Sequence, residues 1–288
     1  MSALYPYSYG DTLLKIDHVY LSASADGNSL LTKPMPGSRA ILTDVCAEIK
    51  KIKRPNQIQG QMVGLLGPSG RGKTQLFRII SGLNKPTSGQ VLINGKAVPV
   101  VAGEVGVVAQ DYPLFAHRTV MGNLTLAAEK KEKDAKTAHE KIMTFLNEFG
   151  IADKINLYPA QLSGGQKQRV AIIQQILSSS YFLLMDEPFS GLDIIMEDKM
   201  LQLIMKIANM DDLNCVIVVT HDVTAAASVC DHIWALGWTP GGDKSSSIVK
   251  TYDLIERGLC WEQWQNMAAL RPALTDFIKE VKNDFYTL

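Results

Sequence analysis

The chain has 288 residues, of which 46% are hydrophobic and 20% charged, with 29 lysines and arginines balanced by 29 aspartates and glutamates. Those proportions suit a globular protein with a substantial core and exclude a disordered, collagenous or small disulfide-stapled chain. The zero formal charge leaves no electrostatic reason to expect nucleic acid or an anionic membrane surface as the main partner.

From the N-terminus, Met1 to Asp11 has tyrosines and a proline but no basic head followed by an apolar stretch, so no secretion signal is expected. The first sixty residues read as hairpins, interrupted by a loose stretch from Ser22 to Ser38 that carries Asp26-Gly27 and Pro36-Gly37. Short apolar runs then alternate with helical patterns. Met62 to Leu66, Val105 to Ala109, Tyr181 to Met185 and Cys215 to Val219 are predicted buried strands. Lys73 to Ser81, Thr137 to Phe149 and Gly165 to Leu177 are predicted helices, the first two ended by Gly82 and Gly150. Strand, helix, strand in this order predicts an α/β fold with a mostly parallel sheet, whose ligands gather at the carboxyl ends of the strands. From about Tyr112 to Ser178 no strand is evident, which predicts an inserted helical subdomain. Pro240 to Ser247, rich in glycine and serine, reads as a surface loop. Beyond it, Trp261, Trp264 and Met267 form an apolar set at helical spacing, expected to pack on the core or a partner. The cysteines Cys46, Cys215, Cys230 and Cys260 lie far apart with no CxxC pair, the pattern of reduced thiols in a cytosol rather than of zinc ligands. No apolar run reaches the roughly 20 residues of a spanning helix.

Gly67-Pro68-Ser69-Gly70-Arg71-Gly72-Lys73-Thr74 fits GxxxxGK[ST], directly after one predicted strand and before a helix. Glycines let successive amides point inward at phosphate oxygens, and the helix adds its positive end. Lys73 then serves the β- and γ-phosphates, and the Thr74 hydroxyl serves Mg²⁺. This predicts a nucleoside triphosphate site, with kinases, GTPases, helicases and transport ATPases all still open. Tyr181 to Glu187 narrows the field: an apolar strand runs into two carboxylates. Asp186 is placed to hold Mg²⁺ through water. Glu187, expected to point the other way along the pleat, is placed to polarise an attacking water.

Leu162-Ser163-Gly164-Gly165-Gln166 is the most specific stretch. With it, the chain resembles the ATP-binding subunit of ABC transporters over about residues 12 to 240. The resemblance implies a P-loop ATPase core with an N-terminal antiparallel β subdomain and a helical subdomain at about 112 to 178. Residues 241 to 288 would be a loop and short helical tail. In that likeness, Gln110 is the Q-loop glutamine, a metal-site and catalytic residue that reports nucleotide state. Ser190-Gly191-Leu192-Asp193 matches the D-loop, and His221 the switch histidine that contacts the γ-phosphate. Ser163 and the Gly164 and Gly165 amides open a helix, which makes a second anion site. The resemblance implies that this signature, with Gln166, closes over ATP held by the phosphate loop of a second copy, in a head-to-tail two-fold dimer.

About fifty residues separate Gln110 from Leu162, too few for the long coiled coil of chromosome-maintenance relatives. A separate ATPase subunit that docks on a membrane permease is the expected reading. It would sit peripherally at the cytoplasmic face of the inner membrane, with an extracytoplasmic solute-binding protein in the same system and no nucleic acid. An ATP-switched regulatory or assembly protein with a soluble partner is the alternative. Asp111 to Val120 looks like the importer segment that receives a permease helix, with Leu114 and Phe115 as candidates for that groove or for core packing. Leu183 to Asp193 is most similar to nitrate, taurine and sulfonate importers. One departure concerns adenine. The family's aromatic slot after the first strand falls on Ala23, and Tyr20 lies three residues early.

Overall fold

In the computed structural model, the described residues are all but 1–6, 28, 34, 54–59, 97, 179–181, 193, 209, 211–214, 240–243, 261–266 and 286–288. The N-terminal hairpin pairs β1 (Ser8–Ala23) with β3 (Arg39–Lys53), and β2 (Leu30–Leu31) adds to the end of β1 within the stretch expected to be loose. Next come β4 (Gln61–Leu66), α1 (Lys73–Ile80), β5 (Ser88–Ile93) and β6 (Gly106–Val108). The helical segment holds α2 (Val120–Ala128), α3 (Ala135–Glu148) and α4 (Gly164–Ser178). Then follow β7 (Phe182–Asp186), α5 (Ile194–Ala208), β8 (Cys215–Thr220), α6 (Val223–Val229), β9 (His232–Trp238), β10 (Ser246–Asp253) and α7 (Met267–Phe285).

One sheet runs β2-β1-β3-β10-β9-β4-β8-β7-β6, with β5 paired to β1. Strands β9, β4, β8, β7 and β6 are parallel neighbours. The antiparallel N-terminal part joins them where Ser246 of β10 pairs with Leu42 of β3. The parallel strands are buried on both faces, which explains their continuous apolar runs. Alternate residues serve two cores. Met62, Leu183, Met185, Val216 and Val218 face the helices, whereas Val63, Leu65, Phe182, Leu184, Ile217 and Val219 face the N-terminal strands and α1. Gly64 admits α6 closely: a Cβ there would lie 3.1 Å from the Cys230 sulfur.

The four expected buried strands and three expected helices form within a residue or two of their expected ends. The Pro240 to Ser247 expectation is corrected in part. Ser245 and Ser246 are buried, and Ser246 begins a strand that pairs with Trp238, because the sheet needs a partner for β9 there. The tail helix is longer than expected at 19 residues. Its Phe277 meets Tyr252 of β10 edge-on at 5.6 Å. Trp261 and Trp264 lie outside the described residues. No helix among those described is long and apolar enough to cross a membrane.

Candidate active site

Strand β4 runs straight into Gly67, and the following loop ends at α1. Gly70 (φ 81°) and Gly72 (φ 83°) are left-handed, the conformation that turns amides inward. Lys73 opens α1, and its Nζ donates to the carbonyl oxygens of Gly67 at 2.6 Å and Pro68 at 3.2 Å. The ammonium lies folded back over its own loop. Burial lowers its pKa, against the opposing pull of the Glu187 and Asp186 charges. Thr74 is exposed at the same helix end.

Strand β7 ends at Asp186, whose carboxyl is raised by burial and then by the charge of Glu187, while Lys73 and Arg78 act the other way. The two motifs, more than a hundred residues apart in sequence, therefore share one electrostatic environment. Glu187 corrects the pleat argument. Its φ is 49°, so it has left the strand, and its N–H donates to the Val219 carbonyl at 2.8 Å. That left-handed turn, rather than strand alternation, aims its carboxylate. A non-glycine residue in this region costs about 1 kcal/mol or more and needs surroundings that hold it there. Here Thr220 Oγ1 donates to Glu187 Oε2 at 3.1 Å, and His221 Nδ1 lies 2.8 Å from Oε1. The structure thus brings Glu187 and His221 together.

Thr220 was not singled out by sequence. It is buried, and its Oγ1 also accepts the Asp222 N–H at 3.1 Å. Its position as the last residue of β8, just before His221, was the available signal. Gln110 lies two residues past the end of β6 and is exposed. Because Val108 pairs with Met185, Gln110 shares the sheet end that carries both carboxylates.

At the start of α4, the Ser163 N–H donates to Gln166 Oε1 at 2.9 Å, and the Gln166 N–H donates to Ser163 Oγ at 3.3 Å. This reciprocal box caps the helix. Ser163 and Gly164 are exposed, and a Cβ at Gly164 or Gly165 would meet nothing within 4 Å. A cavity of about 620 Å³ beside Ser163, Gly165 and Gln166 extends to Lys199 and Lys206 of α5, and none of residues 67–74 lines it.

Two further polar residues tie these parts together. Gln168 is buried, donates from Nε2 to the Pro188 carbonyl at 2.9 Å, and shares a hydrogen bond with the Tyr112 hydroxyl. It joins α4, the turn after Glu187 and the segment after Gln110. Asn123 is fully buried in α2; its Oδ1 accepts the Phe115 N–H at 2.8 Å, and its Nδ2 donates to the carbonyls of Thr119, Phe115 and Arg118. The clamp leaves the Phe115 side chain 44% exposed, while Leu114 packs against the helical core. Of the two alternatives, Leu114 takes the packing one. Of the D-loop match, Ser190 and Gly191 are exposed, and Asp193 lies outside the described residues, as does Tyr181.

Phosphate loop, acidic strand end and α/β topology define a P-loop ATPase fold. The chain belongs to the ABC transporter ATP-binding family, whose ABC transporter domain matches residues 57–190. It is 38% identical over 200 residues to the glutamate transport ATP-binding protein GluA of Corynebacterium glutamicum, covering 67% of this chain and 78% of that one. It is 36% identical over 183 residues to the methionine import ATP-binding protein MetN of Photorhabdus laumondii, covering 61% of this chain and 53% of that protein. The chain thus spans about half the length of such methionine-import relatives. Among solved structures, it is similar to the dimeric ATP-binding cassette MJ0796 in a post-hydrolysis state bound to ADP and Pi. The TM-score is 0.65 at 26% identity, over 84% of this chain and 99% of that one. None of these relatives is by name a nitrate, taurine or sulfonate importer.

Proposed function

We propose that this chain hydrolyses ATP to drive solute import by a separate membrane permease, working as a head-to-tail pair of copies. The observation that carries the reading is the grip of Thr220 and His221 on the Glu187 carboxylate, at the sheet end where Lys73 and Asp186 meet. A lysine folded over the Gly67 and Pro68 carbonyls, in a loop turned by the left-handed Gly70 and Gly72, has little use without an anion to hold. A triphosphate supplies one.

The amides of Gly67 to Thr74 receive the phosphates, and Lys73 exchanges the Gly67 and Pro68 carbonyls for β- and γ-phosphate oxygens. Glu187, fixed by Thr220, accepts a hydrogen bond from a water O–H and orients that water toward the γ-phosphorus. His221 holds Glu187 through Nδ1 and, when protonated, offers its second ring N–H to the γ-phosphate. Thr74, Asp186 and Gln110 supply hydroxyl, carboxylate and amide oxygens, a donor set that suits Mg²⁺. The raised Asp186 carboxyl fits this role, since a nearby cation favours its charged form. Bound Mg²⁺ would neutralise phosphate charge.

The exposed start of α4, with Ser163, Gly164, Gly165 and Gln166, is the surface on which a second copy's γ-phosphate is received. The dimeric post-hydrolysis cassette supports this arrangement by likeness. Relatives named for methionine import and for glutamate transport support the permease-coupled reading. Phe115, held outward by Asn123, is the residue offered to the permease, and a solute-binding protein outside the membrane completes the system. The protein would then sit peripherally on the cytoplasmic face of the membrane.

Glu187→Gln should keep ATP binding while lowering turnover about 10²–10⁴-fold, the scale of a general base. Phosphate release and calorimetry on the same preparation check both halves. Near-normal hydrolysis would remove Glu187 from the role.

A further inference from the structure

A nucleotide whose phosphates lie in the Gly67–Thr74 loop must carry its base along a surface touching that loop. Two strands touch it. A Cβ at Gly72 would meet the side chains of Leu42 at 3.1 Å and Ile41 at 3.4 Å, so the start of β3 backs onto the loop. On the other side Leu66 pairs with Ala235, and a Cβ at Gly67 would lie 2.6 Å from the Leu236 carbonyl, so β9 runs hard against the first loop residue. Two residues further along β9 stands Trp238. Its position is fixed by pairing with Ser246, which also pairs with Leu42 of β3. The end of β9 and the start of β10 thereby lie beside β3, next to the loop.

Trp238 is 44% exposed, unusual for an indole in a strand of the central sheet, where Trp234 of the same strand is buried. The Arg71 guanidinium, itself a loop residue, lies 3.5 Å from the centre of the Trp238 ring. A planar cation stacked on an indole presents a second flat face. The other candidates are poorer. Ala23, at the end of β1, has only a buried methyl group. Tyr20 is hydrogen-bonded to Asp44, and its strand position pairs with Ser88 on the far side of β1.

We propose that Trp238 and Arg71 form the base platform of this nucleotide site: the adenine of ATP stacks on the guanidinium–indole pair. This rests on the reading of residues 67–74 as a phosphate cradle. It moves base recognition from the first hairpin to the end of β9. Stacking of this kind tolerates different purines, because every base has a π face.

The test titrates the full chain, with Mg²⁺, against ATP and against inorganic tripolyphosphate, which has the phosphates and no base. In Trp238→Leu, which keeps an apolar side chain, ATP affinity should fall roughly tenfold, within the range of base–aromatic stacking. Tripolyphosphate affinity should stay unchanged, and Trp238→Phe should bring ATP affinity back to within about threefold of the parent. Unchanged ATP binding in Trp238→Leu overturns the platform. So does a parallel fall for tripolyphosphate, which would make Trp238 a support of the loop. If the unaltered chain binds neither ligand, the phosphate-cradle reading itself fails, a result distinct from failure of the platform.

Discussion

Two aspartates show how one residue type is tuned in opposite directions in this chain. Asp186 sits half-buried beside Glu187, and burial followed by that like charge raises its carboxyl, a state relieved when a cation arrives. Asp253 is also partly buried, but hydrogen bonds outweigh the penalty. It accepts from the Tyr9 hydroxyl at 2.7 Å and the Glu256 N–H at 2.9 Å, with His232 Nε2 at 3.4 Å. Burial alone would raise it; His232, the Glu256 amide and Tyr9 together bring its pKa down to about 2. A carboxyl depressed in the folded state stabilises the fold above its unfolded pKa, and that contribution disappears as pH falls through the folded value. Asp253→Asn should therefore lose about 1 kcal/mol at neutral pH, after allowance for solvent screening, and show a shallower loss of stability between about pH 4 and 2. Urea unfolding across that range reads the slope. An unchanged slope would mean that the Tyr9–His232 contacts are geometric only.

Among the elements, the ones that hold the chemistry were the most legible in sequence. Glycine, lysine and threonine at Gly67–Thr74 have few other uses at that spacing, and the buried parallel strands announce themselves as unbroken apolar runs. Strand β10 was hidden because Ser245, Ser246 and Ser247 read as a loop; the burial of Ser245 and Ser246 comes from β9 and β3 on either side, which no local pattern records. Glu187 was found by type but not by direction, since its φ of 49° is imposed by contacts to β8. Trp238 was invisible for a similar reason, because its neighbour Arg71 comes from a distant segment. Asn123 belongs with these. A polar residue inside α2 looks like a solvent-facing position, yet it satisfies four backbone groups of the segment 115–119. Asn123→Ala should cost roughly 1–2 kcal/mol in chemical unfolding, because three carbonyls and an N–H lose their side-chain partner. It should also loosen the loop that presents Phe115, seen as faster amide exchange there. A loss below about 0.5 kcal/mol would contradict the clamp.

At the scale of the whole molecule, the proposed function gives one copy two unequal ends for anions. The loop at Gly67–Thr74 faces Asp186 and Glu187, whereas the capped start of α4 opens outward beside glycines with free space around them. A single triphosphate in the first leaves the second without an occupant from the same chain. In the proposed two-fold pairing each α4 end would meet a phosphate of the other copy, and hydrolysis would remove what holds the pair. Gln168 of α4, buried between Pro188 and Tyr112, links the turn after Glu187 to the segment carrying Phe115. The most direct measurement is the light-scattering mass of the Glu187→Gln protein saturated with ATP and Mg²⁺. The account predicts a species of twice 31.6 kDa that returns to 31.6 kDa when nucleotide is removed. A mass of 31.6 kDa with ATP demonstrably bound would contradict it.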